Sequence, residues 1–212
     1  MEAGMIVLAV VIGYLLGSIP FAYIAGRLIK GVDIRKIGGG NMGSLNVIRE
    51  IGPVYGFTVM FFDMAKGVLA VLIAQWLDVH LYWVFAAGFA AIVGHNWPVW
   101  LKFKGGQGLA TTMGVLLPLV PIEFACSFGI LIIVILITSN VRLSSAVGLA
   151  FLPLFVWLFR GSEELPLILY SLALPVFCVL KSMTRLTSDL TNSETRKSFI
   201  FDRQYKPWQT KR

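Results

Sequence analysis

Val54-Tyr-Gly-Phe-Thr-Val-Met-Phe-Phe-Asp63-Met-Ala-Lys66-Gly-Val-Leu-Ala-Val-Leu-Ile-Ala-Gln-Trp-Leu77 is an apolar run broken by only two charges. A bilayer core about 30 Å thick asks for about 20 such residues in a helix, so the run is long enough to cross one. Asp63 and Lys66 are three residues apart and share a helix face, where each neutralises the other in a medium that penalises a lone charge. Ionisable residues inside a span are functional candidates by default. A structural ion pair tying helices together explains them equally well.

Similar runs recur on both sides of this one: Met5 to Leu28, Leu81 to Val93 and on towards Leu101, Leu109 to Val120, Ile122 to Thr138, Ala146 to Phe159, and Leu165 to Leu180. Over 212 residues, 57% are hydrophobic and 14% charged, with a mean hydropathy of +0.80. That is more apolar surface than a globular core of this size buries, so the chain needs lipid as its solvent. The expected fold is all-α, a polytopic membrane bundle of about seven transmembrane helices forming a single domain over 1–212, with a basic and disordered tail over 182–212. The middle runs are short for a full span. Met5 to Leu16 could pass for a signal-peptide core, but no basic residue precedes it and no small-residue cleavage site follows, so it reads as the first span. Cys126 and Cys178 fall inside apolar runs and read as small buried hydrophobes; no zinc or other metal spacing is present.

The charges give the orientation. Counting loops alternately, one side receives Arg27, Lys30, Arg35, Lys36 and Arg49, then Lys102 and Lys104, then Arg142, and finally Lys181, Arg185, Arg196, Lys197, Arg203, Lys206, Lys211 and Arg212. The opposite side has only Arg160, and Lys66 lies within a span. The positive-inside rule then predicts the N-terminus outside and the C-terminus in the cytoplasm. Topology accounts for nearly all of the net charge of +7, which leaves no reason to invoke nucleic acid. The tail can instead meet anionic membrane lipid. Trp76, Tyr82, Trp83, Trp97 and Trp100 near span ends read as an interfacial belt.

Two loops on the basic side are more than connectors. The first, 37–49, interleaves Gly38, Gly39, Gly40 and Gly43 with Asn41, Asn46 and Arg49. Glycines let backbone N–H groups approach an anion, the amides orient that contact, and Arg49 offers a bidentate fork for phosphate. A plain flexible turn explains the glycines but not the asparagines and the arginine. The second loop, 94–112, carries His95, then Lys104, Gly105, Gly106, Gln107 and Gly108, and leads through Thr111 into a helix. Unsatisfied N–H groups and the helix dipole make such a start an anion cradle. It lacks the strand and spacing of a Walker P-loop, which argues against nucleotide hydrolysis. His95 reads equally as a satisfied helix-end histidine or as a catalyst.

At these loops the chain resembles the PlsY family of bacterial acyl-phosphate:glycerol-3-phosphate acyltransferases, from about Gly13 to Ser145. Gly17-Ser18-Ile19-Pro20 resembles the family's opening motif, and Asn41, Gly43, Asn46, Val47 and Arg49 resemble its first glycine-rich loop. Asp63, Lys66 and Gly67 match Asp-x-x-Lys-Gly. The second loop matches at Gly94, His95, Pro98, Val99, Phe103, Lys104, Gly105, Gly106, Gly108, Ala110 and Thr111, and Leu143 and Ser145 resemble a short later segment. Gly39 stands where the family has serine, Leu45 where it has threonine, and Gln107 where it has a second lysine. The basic, Glu-containing motif expected after the last span is faint in Lys181 to Glu194.

What the resemblance implies is an enzyme that moves a fatty acyl group from acyl phosphate to the 1-hydroxyl of glycerol 3-phosphate, giving lysophosphatidic acid and phosphate for phospholipid synthesis. No cofactor or metal is implied. With no Ser-His-Asp triad in these loops, the acyl phosphate itself would accept the hydroxyl proton, and chemistry would rest on positioning and charge stabilisation. His95, Asn41 and Asn46 are the expected catalytic residues. Ser18, Gly40, Gly43, Arg49, Lys104, Gly105, Gly106, Gln107, Gly108, Thr111 and Ser145 are expected to bind substrate and its phosphate. The expected location is the bacterial inner membrane, with the active loops facing the cytoplasm. Two alternatives stand beside this: a divergent paralogue with another acyl donor or acceptor, and a non-catalytic lipid-binding or transport protein.

Overall fold

The structure, a computed structural model, describes the backbone of residues 2–190. Helices account for most of this stretch, with no strand among the described residues: α1 (Glu2–Gly17), α2 (Phe21–Lys30), α3 (Ser44–Glu50), α4 (Pro53–Trp76), α5 (Leu81–Asn96), α6 (Leu109–Leu119), α7 (Pro121–Thr138), α8 (Val141–Arg160) and α9 (Leu165–Leu190). The chain's contacts gather into two compact units, Met1–Leu119 and a second beginning at Val120. Of the expected basic tail, 182–190 continue α9, and the rest lies outside the described residues.

In the first unit α1 runs against α5, and α4 packs on α1, α5 and α6. Small residues permit these crossings: a Cβ on Gly17 would run into the Ala91 carbonyl, and one on Gly114 into that of Met64. Close backbone approach of this kind is how helices associate where lipid gives them no hydrophobic reason to do so. The run expected as one span from Met5 to Leu28 is broken. Pro20 has no N–H to continue the helix, so α1 stops at Gly17 and α2 restarts at Phe21. Counting α1 and α2 as one crossing, six segments among the described residues are long and apolar enough to span a membrane.

The seventh expected helix, α6, has only 11 residues, about 16 Å at about 1.5 Å per residue, half a bilayer core. Irregular backbone, 104–108, precedes it. Gly105 N–H donates to the Asn96 carbonyl (3.2 Å) and Gly106 N–H to that of His95 (3.0 Å), so the chain runs back along the last turn of α5 before α6 begins.

In the second unit α8 packs between α7 and α9. Arg160 in the last turn of α8 is bound to the buried Glu123 in the first turn of α7, with Nε to Oε1 at 2.5 Å and Nη2 to Oε2 at 3.3 Å. The one basic residue that the charge pattern left on the far side is thereby neutralised.

Candidate active site

The break between α1 and α2 leaves the Ile19 carbonyl outside the helix ladder, and Lys66 takes it: Nζ donates at 3.1 Å. The same ammonium lies 2.7 Å from Asp63 Oδ1 and 5.7 Å from the centroid of the Phe21 ring. His95, in the last turn of α5, brings Nδ1 to 3.4 Å from that same carboxylate oxygen. These approaches to Oδ1 are close enough for ion pairing, but none has the alignment of a hydrogen bond. The three side chains are 2 to 6% exposed. Two helices, α4 and α5, thus meet at one buried carboxylate, and Lys66 ties them to the break between α1 and α2.

Above the cluster opens a small cleft lined by Ser18, Pro20, Met42 and Pro98 together with Asp63, Lys66 and His95. Ser18 is fully buried and its hydroxyl has no partner, an arrangement that costs free energy until something binds it. Gly106 sits directly against His95: a Cβ there would overlap the imidazole Nε2. The glycine therefore houses the ring.

The first loop closes on Asn46. Its Nδ2 donates to the carbonyls of Ile34 (3.0 Å), Ile37 (3.2 Å) and Asn41 (3.0 Å), and its Oδ1 accepts from Gly39 N–H (2.9 Å). Asn41 Oδ1 accepts from Gly43 N–H (3.0 Å). Asn46 is thus spent on holding the loop, and the N–H groups of Gly39, Gly40, Gly43, Gly105 and Gly106 all bond within the protein. These amides close the loops on themselves. The cations remain outward: Arg49, in the last turn of α3, and Lys104, on the second loop, are exposed. Gln107 is half-buried, Gly40 and Gly108 adopt positive φ of 62° and 83°, and Thr111 is fully buried with its hydroxyl unpartnered. Ser145 is buried on α8, in the second unit.

Three residues escaped the sequence reading. Asn96 is 1% exposed and neither amide atom has a partner. Asp33 and Arg35 form a pair whose signal, an acidic residue two before an arginine at the start of a short helical turn, was present but unremarked. Asp33 Oδ1 caps that turn through Arg35 N–H at 3.0 Å. The neighbouring guanidinium, hydrogen-bonded to the carboxylate, holds the Asp33 carboxyl down at about 2.

A family model described as glycerol-3-phosphate acyltransferase matches residues 7–189. Among curated proteins, the chain is 41% identical over 207 residues to "Glycerol-3-phosphate acyltransferase 1" of Dehalococcoides mccartyi, covering 94% of this chain and 98% of the relative. It is 44% identical over 153 residues to "Glycerol-3-phosphate acyltransferase 2" of Moorella thermoacetica, covering 72% and 78%. Among solved structures it resembles the integral membrane glycerol 3-phosphate acyltransferase PlsY in its glycerol 3-phosphate form, with a TM-score of 0.78 and 32% identity over 88% of this chain and 92% of the other. The lysophosphatidic acid form of PlsY gives a TM-score of 0.76 at 31% identity and the same coverage.

Proposed function

This chain belongs to the glycerol-3-phosphate acyltransferase family, and we propose that it transfers a fatty acyl group from acyl phosphate to the 1-hydroxyl of glycerol 3-phosphate. It is a multi-pass membrane enzyme. The bacterial sources of the relatives and the one-sided charge support an inner-membrane location with the loops at 31–52 and 97–108 in the cytoplasm. There a soluble phosphorylated acceptor arrives from water and an acyl chain from the bilayer.

The observation that carries this reading is the buried Asp63–Lys66–His95 cluster beneath a cleft whose two flanking loops expose Arg49 and Lys104. The acceptor hydroxyl oxygen attacks the acyl carbon, the new ester C–O bond forms and the C–O bond to phosphate breaks. The electron pair leaves on phosphate, which also takes the hydroxyl proton. No protein base is consumed, so the chain supplies position and charge. Arg49 and Lys104 hold the phosphate groups, with Gln107, Thr111 and the turns at Gly40, Gly43, Gly105, Gly106 and Gly108 shaping that site. Ser18 donates its unpartnered hydroxyl to substrate oxygen. Asn41 and Asn46 act by fixing the first loop, and His95 by polarising the reacting groups from its place beside Asp63.

The substitutions Gly39, Leu45 and Gln107 favour one second reading, an altered acceptor or donor, because they remove a charge and two hydroxyls from the motifs. Purified protein given acyl phosphate and labelled glycerol 3-phosphate should release lysophosphatidic acid and phosphate in equal amounts. Product from acyl-CoA alone would reject the proposed donor, and no product from either would reject the acceptor.

A further inference from the structure

Arg35 is half-buried in the short helical turn Ile34–Lys36, and each arm of its side chain has a partner. Its Nε and Nη2 clasp Asp33 Oδ1 and Oδ2 at 3.0 and 2.8 Å, a planar two-point grip, and the guanidinium lies 5.2 Å from the centroid of Tyr23 on α2. The remaining arm, Nη1, reaches across to the Leu101 carbonyl in the second loop, at 3.4 Å. A second, independent contact joins the same two loops. Leu101 packs on the buried cluster of Ala22, Ile34, Met42, Val47 and Val59, and Ile34 is the residue between Asp33 and Arg35. Directly after Leu101 the chain turns through Lys102 and Phe103, both non-glycine residues in the left-handed region at φ 55° and 59°, and then presents Lys104. Two consecutive residues in that region cost energy that the surroundings must offset. The Arg35 arm and the Leu101 side chain hold the strand of backbone from which this turn departs.

We infer that Arg35, clasped by Asp33 and seated on Tyr23, is a positioning residue that fixes the Lys102–Phe103 turn and so sets where Lys104 meets the substrate phosphate. The inference rests on the reading of Lys104 as a phosphate ligand. Arginine suits the task because its fork is rigid and carries five donors, enough to grip one carboxylate and still reach a carbonyl 66 residues away in sequence. Lysine keeps the charge but cannot do both.

A double-mutant cycle between Arg35 and Lys104 tests this, with kcat/KM for glycerol 3-phosphate as readout. Arg35→Ala alone should lower kcat/KM on the order of tenfold, mainly through KM, and Arg35→Lys should rescue little of it. In a Lys104→Ala background the Arg35 substitution should cost no more than about twofold, because the group it positions is gone. Equal losses in both backgrounds would show a general structural role and overturn the inference. A silent Lys104→Ala would reject both the inference and the phosphate assignment; a damaging Lys104→Ala with additive Arg35→Ala rejects the inference alone. Should Arg35→Ala fold poorly, Asp33→Asn loosens the grip without emptying the site and must show the same non-additivity.

Discussion

Lys66 and His95 approach the same oxygen, Oδ1 of Asp63, from α4 and α5, at 2.7 and 3.4 Å. Asp63 and Lys66 are each no more than 3% exposed. Breaking such a pair from one side leaves an uncompensated buried charge, at a cost of about 3–5 kcal/mol. Asp63→Asn and Lys66→Met should therefore each lower thermal stability in detergent sharply. The double variant, with no charge left over, should regain most of that stability but not its acyltransfer. If it regains both, the pair is structural and has no part in catalysis.

Gly106 offers a cleaner probe of His95 than direct substitution does. A Cβ at this position overlaps the imidazole, so Gly106→Ala should push the ring off Asp63 while leaving the loop cations in place. We expect kcat to fall on the order of 10²-fold, the scale associated with losing one positioned polar catalyst. His95→Ala should fall comparably, and the double variant no further. Losses that multiply would mean that Gly106 serves the phosphate directly and not the ring.

The helices and the ion pair were legible in the sequence because lipid leaves few options: apolar runs must be helices, and Asp63 needs a partner within reach. The break at Ser18 was not read, although Pro20 marks it, because hydropathy runs through it unchanged. The fold-back of the second loop was also hidden. Nothing local says that Gly105 and Gly106 fold back along α5, since that requires knowing that His95 and Asn96 have carbonyls free at a helix end. The glycines are ambiguous in sequence for a physical reason: residues without Cβ serve anion approach and tight backbone packing alike, and the packing of Gly39 on Asn46 and of Gly106 on His95 shows only in the fold. Arg35 was overlooked because its partner Leu101 is named by a backbone carbonyl, which carries no sequence signature.

The Asp33 carboxyl gives a pH signature. Its value in the fold, about 2, lies below the ordinary 3.8, so its contribution to stability is present above pH 3.8 and is lost as pH falls through 2. The difference in melting temperature between the wild type and Asp33→Asn should be constant above about pH 4 and vanish towards pH 2. A constant difference across the whole range would disconnect Asp33 from Arg35.

Orientation is checked by labelling. In a background lacking Cys126 and Cys178, single cysteines at the exposed positions Lys36 and Lys102 should react only with reagents that reach the cytoplasm. Reaction of Lys36→Cys from outside would invert the topology drawn from the basic residues.

Gln107 is half-buried between Gly106, which is tied to the His95 carbonyl, and Gly108, which packs on Asn96. The family pattern has a second lysine here. An amide donates hydrogen bonds but brings no charge, so a phosphate held by Gln107 is held less strongly than by an ammonium. If glycerol 3-phosphate is the native acceptor, Gln107→Lys should lower its KM or raise kcat, and the gain should shrink at high ionic strength because the partly hydrated site is screened. If the enzyme has moved to a less anionic acceptor, the added lysine should bring no gain with glycerol 3-phosphate and should slow the native reaction. Kinetics of both proteins at two ionic strengths separate these outcomes. Unchanged constants in both conditions would remove position 107 from the phosphate site, and the anion would then rest on Arg49 and Lys104.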